Sequence, residues 1–238
     1  MSIAIAELAE FLPDVASYPL EECDGVAVMR CRFRISAYDD AWFAALGVAR
    51  PDTLERAVPK RKAEYLAARY LCKLLLEARG LPPGVGSGRH RQPLWPAGWT
   101  GAITHSDETA MVALAPADDG LMLGMDLERW MSDKTAGNVR TGILVEGEDE
   151  VLAGSWPFPR ALTLAFSAKE SLFKALYPTV GEYFDFDAAE MVRVDWDRRR
   201  FSIRLRKTLA PGLEAGRAFD GGFYLQDGQV LTLIRASS

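Results

Sequence analysis

Two segments of this chain keep apolar residues at three- and four-residue spacing over several turns, and short alternating runs surround both. That combination leaves few architectures open. In the first segment Ala63, Leu66, Tyr70, Leu74 and Ala78 fall on one stripe, with Pro59 near its start and Gly80 just past its end. The pattern predicts a helix over Pro59–Arg79. In the second, Leu162, Ala165, Phe166, Phe173, Leu176 and Tyr177 keep the spacing, with Pro159 in the first turn and Pro178 as the stop, a helix over Pro159–Tyr177. Elsewhere the period falls to two. Ala27, Met29, Cys31, Phe33 and Ile35 alternate with Val28, Arg30, Arg32 and Arg34, the pattern of a strand with one wet face. Further strands are expected at Gly101–His105, Ala110–Ala115, Leu121–Glu128, Met191–Trp196, Phe201–Leu205, Gly222–Gln226 and Val230–Arg235. Asp118-Asp119-Gly120 and Asp227-Gly228 supply turns. Leu81–Pro96, rich in Gly and Pro, reads as a loop. A helix followed by antiparallel strands in each half is an α+β pattern.

Composition narrows the setting. At 238 residues the chain can bury a substantial core as one domain or two halves. A net charge of −5 argues against a general nucleic-acid binder. Cys23, Cys31 and Cys72 are odd in number and lack metal-ligand spacing, as expected of reduced thiols in a cytoplasmic protein. Glu7 and Glu10 stand where a secretory signal would carry basic residues, and no stretch is apolar enough to span a membrane.

The chemistry concentrates in two acidic motifs. Gly124-Met125-Asp126-Leu127-Glu128 follows an apolar run and reads as the end of a strand, so Asp126 and Glu128 share one face while Met125 and Leu127 point into a core. Phe166-Ser167-Ala168-Lys169-Glu170-Ser171-Leu172-Phe173-Lys174 reads as helix, with Glu170 and Lys174 neighbours on one face. Ser167-x-x-Glu170 could also be a capping box, but the apolar spacing continues through Ser167 and places it inside the helix. Three carboxylates and an ammonium suit a hard divalent cation that leaves room for a substrate phosphate. The rival reading is a solvated strand end beside an ordinary helical ion pair.

The two motifs resemble those of 4′-phosphopantetheinyl transferases of the surfactin-synthetase type, most closely the enterobactin-synthase-type subgroup. Two further segments add to the likeness. Lys60-Arg61-Lys62-Ala63-Glu64-Tyr65-Leu66-Ala67-Ala68-Arg69 is similar to the subgroup's basic helix. Arg91–Ser106 is similar to its proline–tryptophan run leading to a serine/threonine–histidine pair. Departures are Met125 and Leu127 for the commoner Ile, Phe166 for Trp and Thr104 for Ser; none removes a metal ligand. The resemblance implies two similar halves related by a pseudo-twofold, with the active site in the cleft between them. Residues 1–120 would face the 3′-phosphate and adenosine of coenzyme A, and residues 121–238 would carry the metal and the catalytic helix. Asp126 and Glu128, near that boundary and read as ending the first half's strands, would meet Glu170 only across the cleft.

Carried over position by position, the resemblance implies that Asp126, Glu128 and Glu170 bind Mg²⁺, with Mn²⁺ as an alternative. Glu170 and Lys174 would be catalytic, and Asp126, Glu170 and Lys174 would also face the co-substrate coenzyme A. Arg61 and Arg69 would take the 3′-phosphate. Eight residues apart, they lie within about 80° on a helix wheel; otherwise they are the solvated face of an amphipathic helix. Thr104 and His105 become phosphate contacts, where a lone strand-end His would otherwise be a structural hydrogen-bonder. Arg91 and Pro93 would lie near the adenine and ribose phosphate. Lys169 would brace a phosphate or a neighbouring carboxylate. Trp95 and Trp99 read as core or cleft wall, and the run from Arg198 to Lys207 as a solvated hairpin face. The implied reaction moves 4′-phosphopantetheine from coenzyme A to a serine of an apo carrier protein of fatty-acid, polyketide or nonribosomal-peptide synthesis, by a cytoplasmic monomer. The competing classes are a non-catalytic carrier-binding module of the same fold and another Mg²⁺-dependent phosphotransfer enzyme. The chain has no G-x-x-x-x-G-K-[ST] loop, which speaks against the commonest of the latter.

Overall fold

The computed structural model describes residues 5–20, 23–154 and 156–237. The chain divides into two compact units, Met1–Pro116 and Ala117–Ser238.

In the first unit the chain runs through α1 (Ile5–Phe11), β1 (Asp14–Ser17), β2 (Ala27–Arg32), the single-turn α2 (Trp42–Ala45), α3 (Pro59–Glu77), β3 (Gly86–Ser87), β4 (Pro93–Leu94), β5 (Trp99–Ser106) and β6 (Thr109–Pro116). β1, β2, β6 and β5 form an antiparallel sheet in that order. α3 begins with Pro59 in its first turn, where a missing N–H costs nothing. Its buried stripe, Ala63, Leu66, Ala67, Leu71 and Leu75, packs with Cys31 of β2 and Val112 and Leu114 of β6. β6 is buried on both faces, which explains its nearly unbroken apolar run. Asp40 anchors the connection ahead of α3, accepting from the Tyr38 hydroxyl at 2.5 Å, from Arg50 at 2.6 Å and from Lys62 at 3.3 Å. The expected loop from Leu81 to Pro96 instead contains a small hairpin, with Gly86 opposite Leu94 and Ser87 opposite Pro93. Its turn places Arg91 at φ 67.

The second unit contains β7 (Met122–Arg129), α4 (Asp133–Ile143), α5 (Glu148–Leu152), α6 (Phe158–Val180), β8 (Ala189–Asp195), β9 (Arg200–Leu205), β10 (Ala218–Gln226) and β11 (Gln229–Ala236). All five strands are antiparallel, in the order β7-β11-β10-β9-β8. β10 and β11 are joined by Asp227-Gly228, both at positive φ, the tight hairpin turn expected of that pair. The acidic strand therefore belongs to this sheet: β7 pairs along its length with β11, Asp126 opposite Thr232. This corrects the expectation that Asp126 and Glu128 reach Glu170 only across a cleft between halves, because all three lie in one unit.

α6 covers this sheet and passes straight through Ser167, which is fully buried. Glu170 is thus mid-helix and caps nothing. The helix does not stop at Pro178. It continues to Val180 and ends at Gly181, φ 72, whose N–H bonds the Tyr177 carbonyl at 2.8 Å. So near the end, the proline removes one helical donor without breaking the turn. Gly137 and Gly142 dilute the apolar pattern of α4 and hide it from sequence. Its start is nevertheless marked by Ser132, whose side chain accepts from the Thr135 N–H. Among the described residues no helix is long and apolar enough to cross a membrane.

Candidate active site

β7 meets α6 at unusually close range, and Gly124 is the reason. A Cβ at Gly124 would stand 1.8 Å from the Ser171 carbonyl oxygen and 2.7 Å from the Ala175 nitrogen. Side chains alternate along a strand, so Asp126 and Glu128 share that helix-facing side. Met125 and Leu127, on the opposite face, are fully buried. At this separation Lys174 Nζ of α6 donates to Asp126 Oδ1 at 2.6 Å. Asp126 is only 4% exposed. Lys174 thus pairs with the strand carboxylate and is not spent on Glu170 as an ordinary helical pair.

Glu170 lies one turn before Lys174 and close enough to Asp126 to feel its charge. Burial, with the Asp126 carboxylate adding to it and the Lys174 ammonium opposing, pushes the Glu170 carboxyl above the usual range. Asp126, Glu128 and Glu170 do not close into a ready-made cage: among the described residues no three Asp, Glu, His or Cys side chains are grouped as a metal site. Mg²⁺ needs no such cage. It binds through one or two carboxylates and completes its shell with water and substrate phosphate. Asp126 and Glu170, hard oxygen donors that repel each other, fit that demand, and Glu128 stands two positions along the same strand face. Beside Glu170 opens a pocket walled by Phe173, Tyr183, Phe184 and Phe186.

Lys169 goes elsewhere. One residue from Glu170 it is rotated by about 100° around the helix and is 3% exposed. Its Nζ donates to Glu148 Oε2 at 2.7 Å and to the carbonyls of Ile143 at 2.8 Å and Phe186 at 3.2 Å. Glu148 also accepts from the N–H groups of Val145 and Met191, at 2.7 and 2.6 Å. Of the two roles expected of it, the lysine takes the second: it braces a carboxylate, that of Glu148, far off in sequence but in direct contact, and with it the end of α4. Glu148 carries no motif, and nothing in the sequence singled it out.

In the first unit the basic helix splits its candidates. Arg61 Nη1 donates to His105 Nε2 at 3.1 Å. A guanidinium can only donate, so this contact leaves the imidazole proton on Nδ1, which faces Glu64 Oε2 at 3.9 Å. Glu64 also lies 3.6 Å from Arg61. Its spacing from Arg61 was a visible signal for this trio. Arg69 is held apart, donating to Ser87 Oγ at 3.0 Å and lying over the Tyr65 ring at 5.0 Å. Its Nη1 is buried without a hydrogen-bond partner. Thr104, adjacent to His105 on β5, is buried on the opposite face, so the two side chains do not converge. Arg91 sits exposed in the turn between β3 and β4, and Pro93 in β4. Trp95 and Trp99 pack on the first unit's core.

The basic run of the β8–β9 region is largely neutralised: Arg198 pairs with Asp195, Arg204 with Glu190 and Lys207 with Asp187. That is the solvated hairpin face expected of it.

Comparison with known proteins accounts for both units. Residues 50–115 match the 4′-phosphopantetheinyl transferase N-terminal domain, and residues 122–219 match the 4′-phosphopantetheinyl transferase superfamily. The chain belongs to that superfamily. It is 37% identical to enterobactin synthase component D of Salmonella typhi over 78% of this chain and 76% of the relative. It is 38% identical to the 4′-phosphopantetheinyl transferase Svp of Streptomyces mobaraensis over 77% of this chain and 75% of the relative. With the 4′-phosphopantetheinyl transferase Npt of Nocardia iowensis it shares 28% over 76% of this chain and 85% of the relative. Its activity is accordingly 4′-phosphopantetheinyl transfer.

Proposed function

We propose that the chain transfers the phosphopantetheine of coenzyme A to a serine hydroxyl of an apo carrier protein, with Mg²⁺ held by Asp126 and Glu170 and joined by Glu128. The observation that carries this reading is the grouping of Asp126, Glu170 and Lys174 on one partly buried patch of β7 and α6. Two coupled carboxylates and a fixed ammonium suit a pyrophosphate better than they suit an uncharged substrate. When bound, Mg²⁺, or Mn²⁺ in its place, would supply neutralisation of the pyrophosphate oxygens.

The chain's own groups have three tasks. Glu170, its carboxyl raised by burial, takes the serine proton directly or through a water. The serine oxygen bonds to the pantetheine-bearing phosphorus as the P–O bond to the adenosine side breaks. Adenosine 3′,5′-bisphosphate leaves with the electron pair, and Lys174 stabilises the charge it carries. In the first unit Arg61, Arg69 and His105 take the phosphates of the adenosine side, Thr104 contributes from its own face of β5, and Arg91 and Pro93 border the adenine. The unsatisfied Nη1 of Arg69 supports an anionic ligand there. The likeness to enterobactin synthase component D favours carrier domains of nonribosomal-peptide siderophore synthesis as substrates, with polyketide and fatty-acid carriers next, all in the cytoplasm and served by a monomer.

Incubation with coenzyme A, Mg²⁺ and a panel of apo carriers should add about 340 Da to a carrier serine, the mass expected of a phosphodiester-linked arm. Chelation should abolish the gain and Mg²⁺ restore it. Lys174→Ala should lower kcat by about 10²-fold with a smaller change in the KM for coenzyme A, as for loss of one charge-stabilising group. No mass gain on any carrier would sink the proposal, and a near-normal kcat for Lys174→Ala would remove the lysine from it.

The arginines can be tested separately. Arg61→Ala or Arg69→Gln should raise the KM for coenzyme A by about tenfold or more, the scale of one charge-assisted hydrogen bond, while dephospho-coenzyme A changes little. Equal losses with both ligands would place the arginines away from the 3′-phosphate.

A further inference from the structure

We infer that Thr232 is a positioning residue for phosphopantetheine transfer: its hydroxyl holds Ser167 and Ser171, and so sets Glu170 and Lys174 of α6 against Asp126 of β7. The inference rests on the reading of Asp126, Glu170 and Lys174 as the reaction centre.

Thr232 is the cross-strand partner of Asp126 and is completely buried. Its Oγ1 donates to the Ser167 carbonyl at 2.9 Å, lies 2.7 Å from Ser171 Oγ and lies 2.9 Å from Ser167 Oγ. Ser171 Oγ also reaches the Thr232 carbonyl at 3.1 Å, and Ser167 Oγ the Asp126 carbonyl at 3.3 Å. The protons balance. Each of the three hydroxyls has one to give, and each has an acceptor within reach, so the network leaves no buried donor stranded.

Its geometry reaches the reaction centre. At about 100° per residue, Ser167, Ser171 and Lys174 fall on one narrow stripe of α6, with Glu170 along its flank. A hydroxyl on β11 that grips Ser167 and Ser171 therefore fixes both the rotation and the axial position of the helix over Asp126. Hydrophobic contact alone is non-directional and would allow the helix to slide. On the same face β11 uses Val230 and Ile234, which pack into the core under α6. Valine has the branched shape of threonine without its hydroxyl, so the hydroxyl serves something other than filling space.

The test compares Thr232→Val, Thr232→Ser and the triple variant Ser167→Ala/Ser171→Ala/Thr232→Val in the carrier-modification assay, each with its melting temperature. Thr232→Val should lower kcat by about tenfold to 10²-fold, the cost of a small misplacement of reacting groups, with the KM for coenzyme A changed less than about threefold. Thr232→Ser, which keeps the hydroxyl, should stay within about twofold of the parent protein. The triple variant leaves no hydroxyl stranded without its partners, so it should regain part of the stability lost in Thr232→Val while kcat remains low. Recovery of kcat along with stability in the triple variant would overturn the inference, as would a parental kcat in Thr232→Val. Asp126→Asn run in parallel separates the two levels. If it is inactive while Thr232→Val is fully active, only the positioning role falls; if it is itself fully active, the reading of the reaction centre falls and takes the inference with it.

Discussion

Gly124→Ala is expected to lose both stability and activity, although alanine is the smallest possible addition. The new methyl would meet the Ser171 carbonyl oxygen and the Ala175 nitrogen, which are backbone and cannot rotate away. β7 and α6 would have to separate. Overpacking of this kind costs about 1–3 kcal/mol and sometimes more; for a chain of this size each kcal/mol lowers Tm by roughly 2–4 °C, so a fall of about 2–12 °C is expected. Any folded fraction would have Lys174 moved away from Asp126, and kcat should drop further than Tm implies. Trimming the helix by Ala175→Gly should not rescue the variant, because the nearest clash is with a carbonyl. Thermal melting and carrier-modification kinetics decide it: a variant that melts and turns over like the parent would show that the strand and helix do not need this approach.

Lys169→Met should cost at least as much stability, for a different reason. Lys169 and Glu148 form an ion pair whose side chains are almost wholly inaccessible, and the ammonium also satisfies two carbonyls. Burial holds the Lys169 pKa below its ordinary value, with the Glu148 carboxylate opposing that pull. Removing the lysine strands a buried carboxylate, at about 3–5 kcal/mol, or roughly 10 °C in Tm. Lys169→Met with Glu148→Gln should recover part of that loss, because the stranded charge goes with it. The kcat of the remaining folded protein should fall only a few-fold. A large kcat loss at an unchanged Tm would instead mean that Lys169 touches substrate, as the motif alone suggests.

The contrast between Lys169 and Glu170 marks how far the sequence could be read. Helix α6 was legible because its apolar spacing runs unbroken through Ser167, and the shared face of Asp126 and Glu128 follows from the strand period. The pairing of β7 was not legible. Nothing local in Gly124–Glu128 indicates a partner strand at Val230–Ile234, so the strand period alone cannot tell whether Asp126 and Glu128 close the first half's strands or open the second half's sheet. Thr104 and His105 form one pattern in sequence but face opposite sides of β5, a consequence of the same period that a motif read as a unit conceals. Glu148 and Thr232 had no signal at all. Their roles arise from contacts made only after the helices and sheet have packed. Pro178 shows the opposite error, a strong local rule outweighed by a position close enough to the helix end to tolerate it.

The pairing of Asp126 with Thr232 also orders events in time. Among the described residues β7 is hydrogen-bonded into its sheet through β11 alone, whose residues emerge from the ribosome long after those of β7. At 5–20 residues per second, Asp126 waits on the order of ten seconds for the strand that will hold it. Until then the nascent chain carries an acidic strand without its sheet and a helix without the β11 part of its docking surface. Biosynthesis therefore completes this centre late. A chain terminated shortly before Gln229 would carry Asp126, Glu170 and Lys174 but lack the strand that pairs with β7.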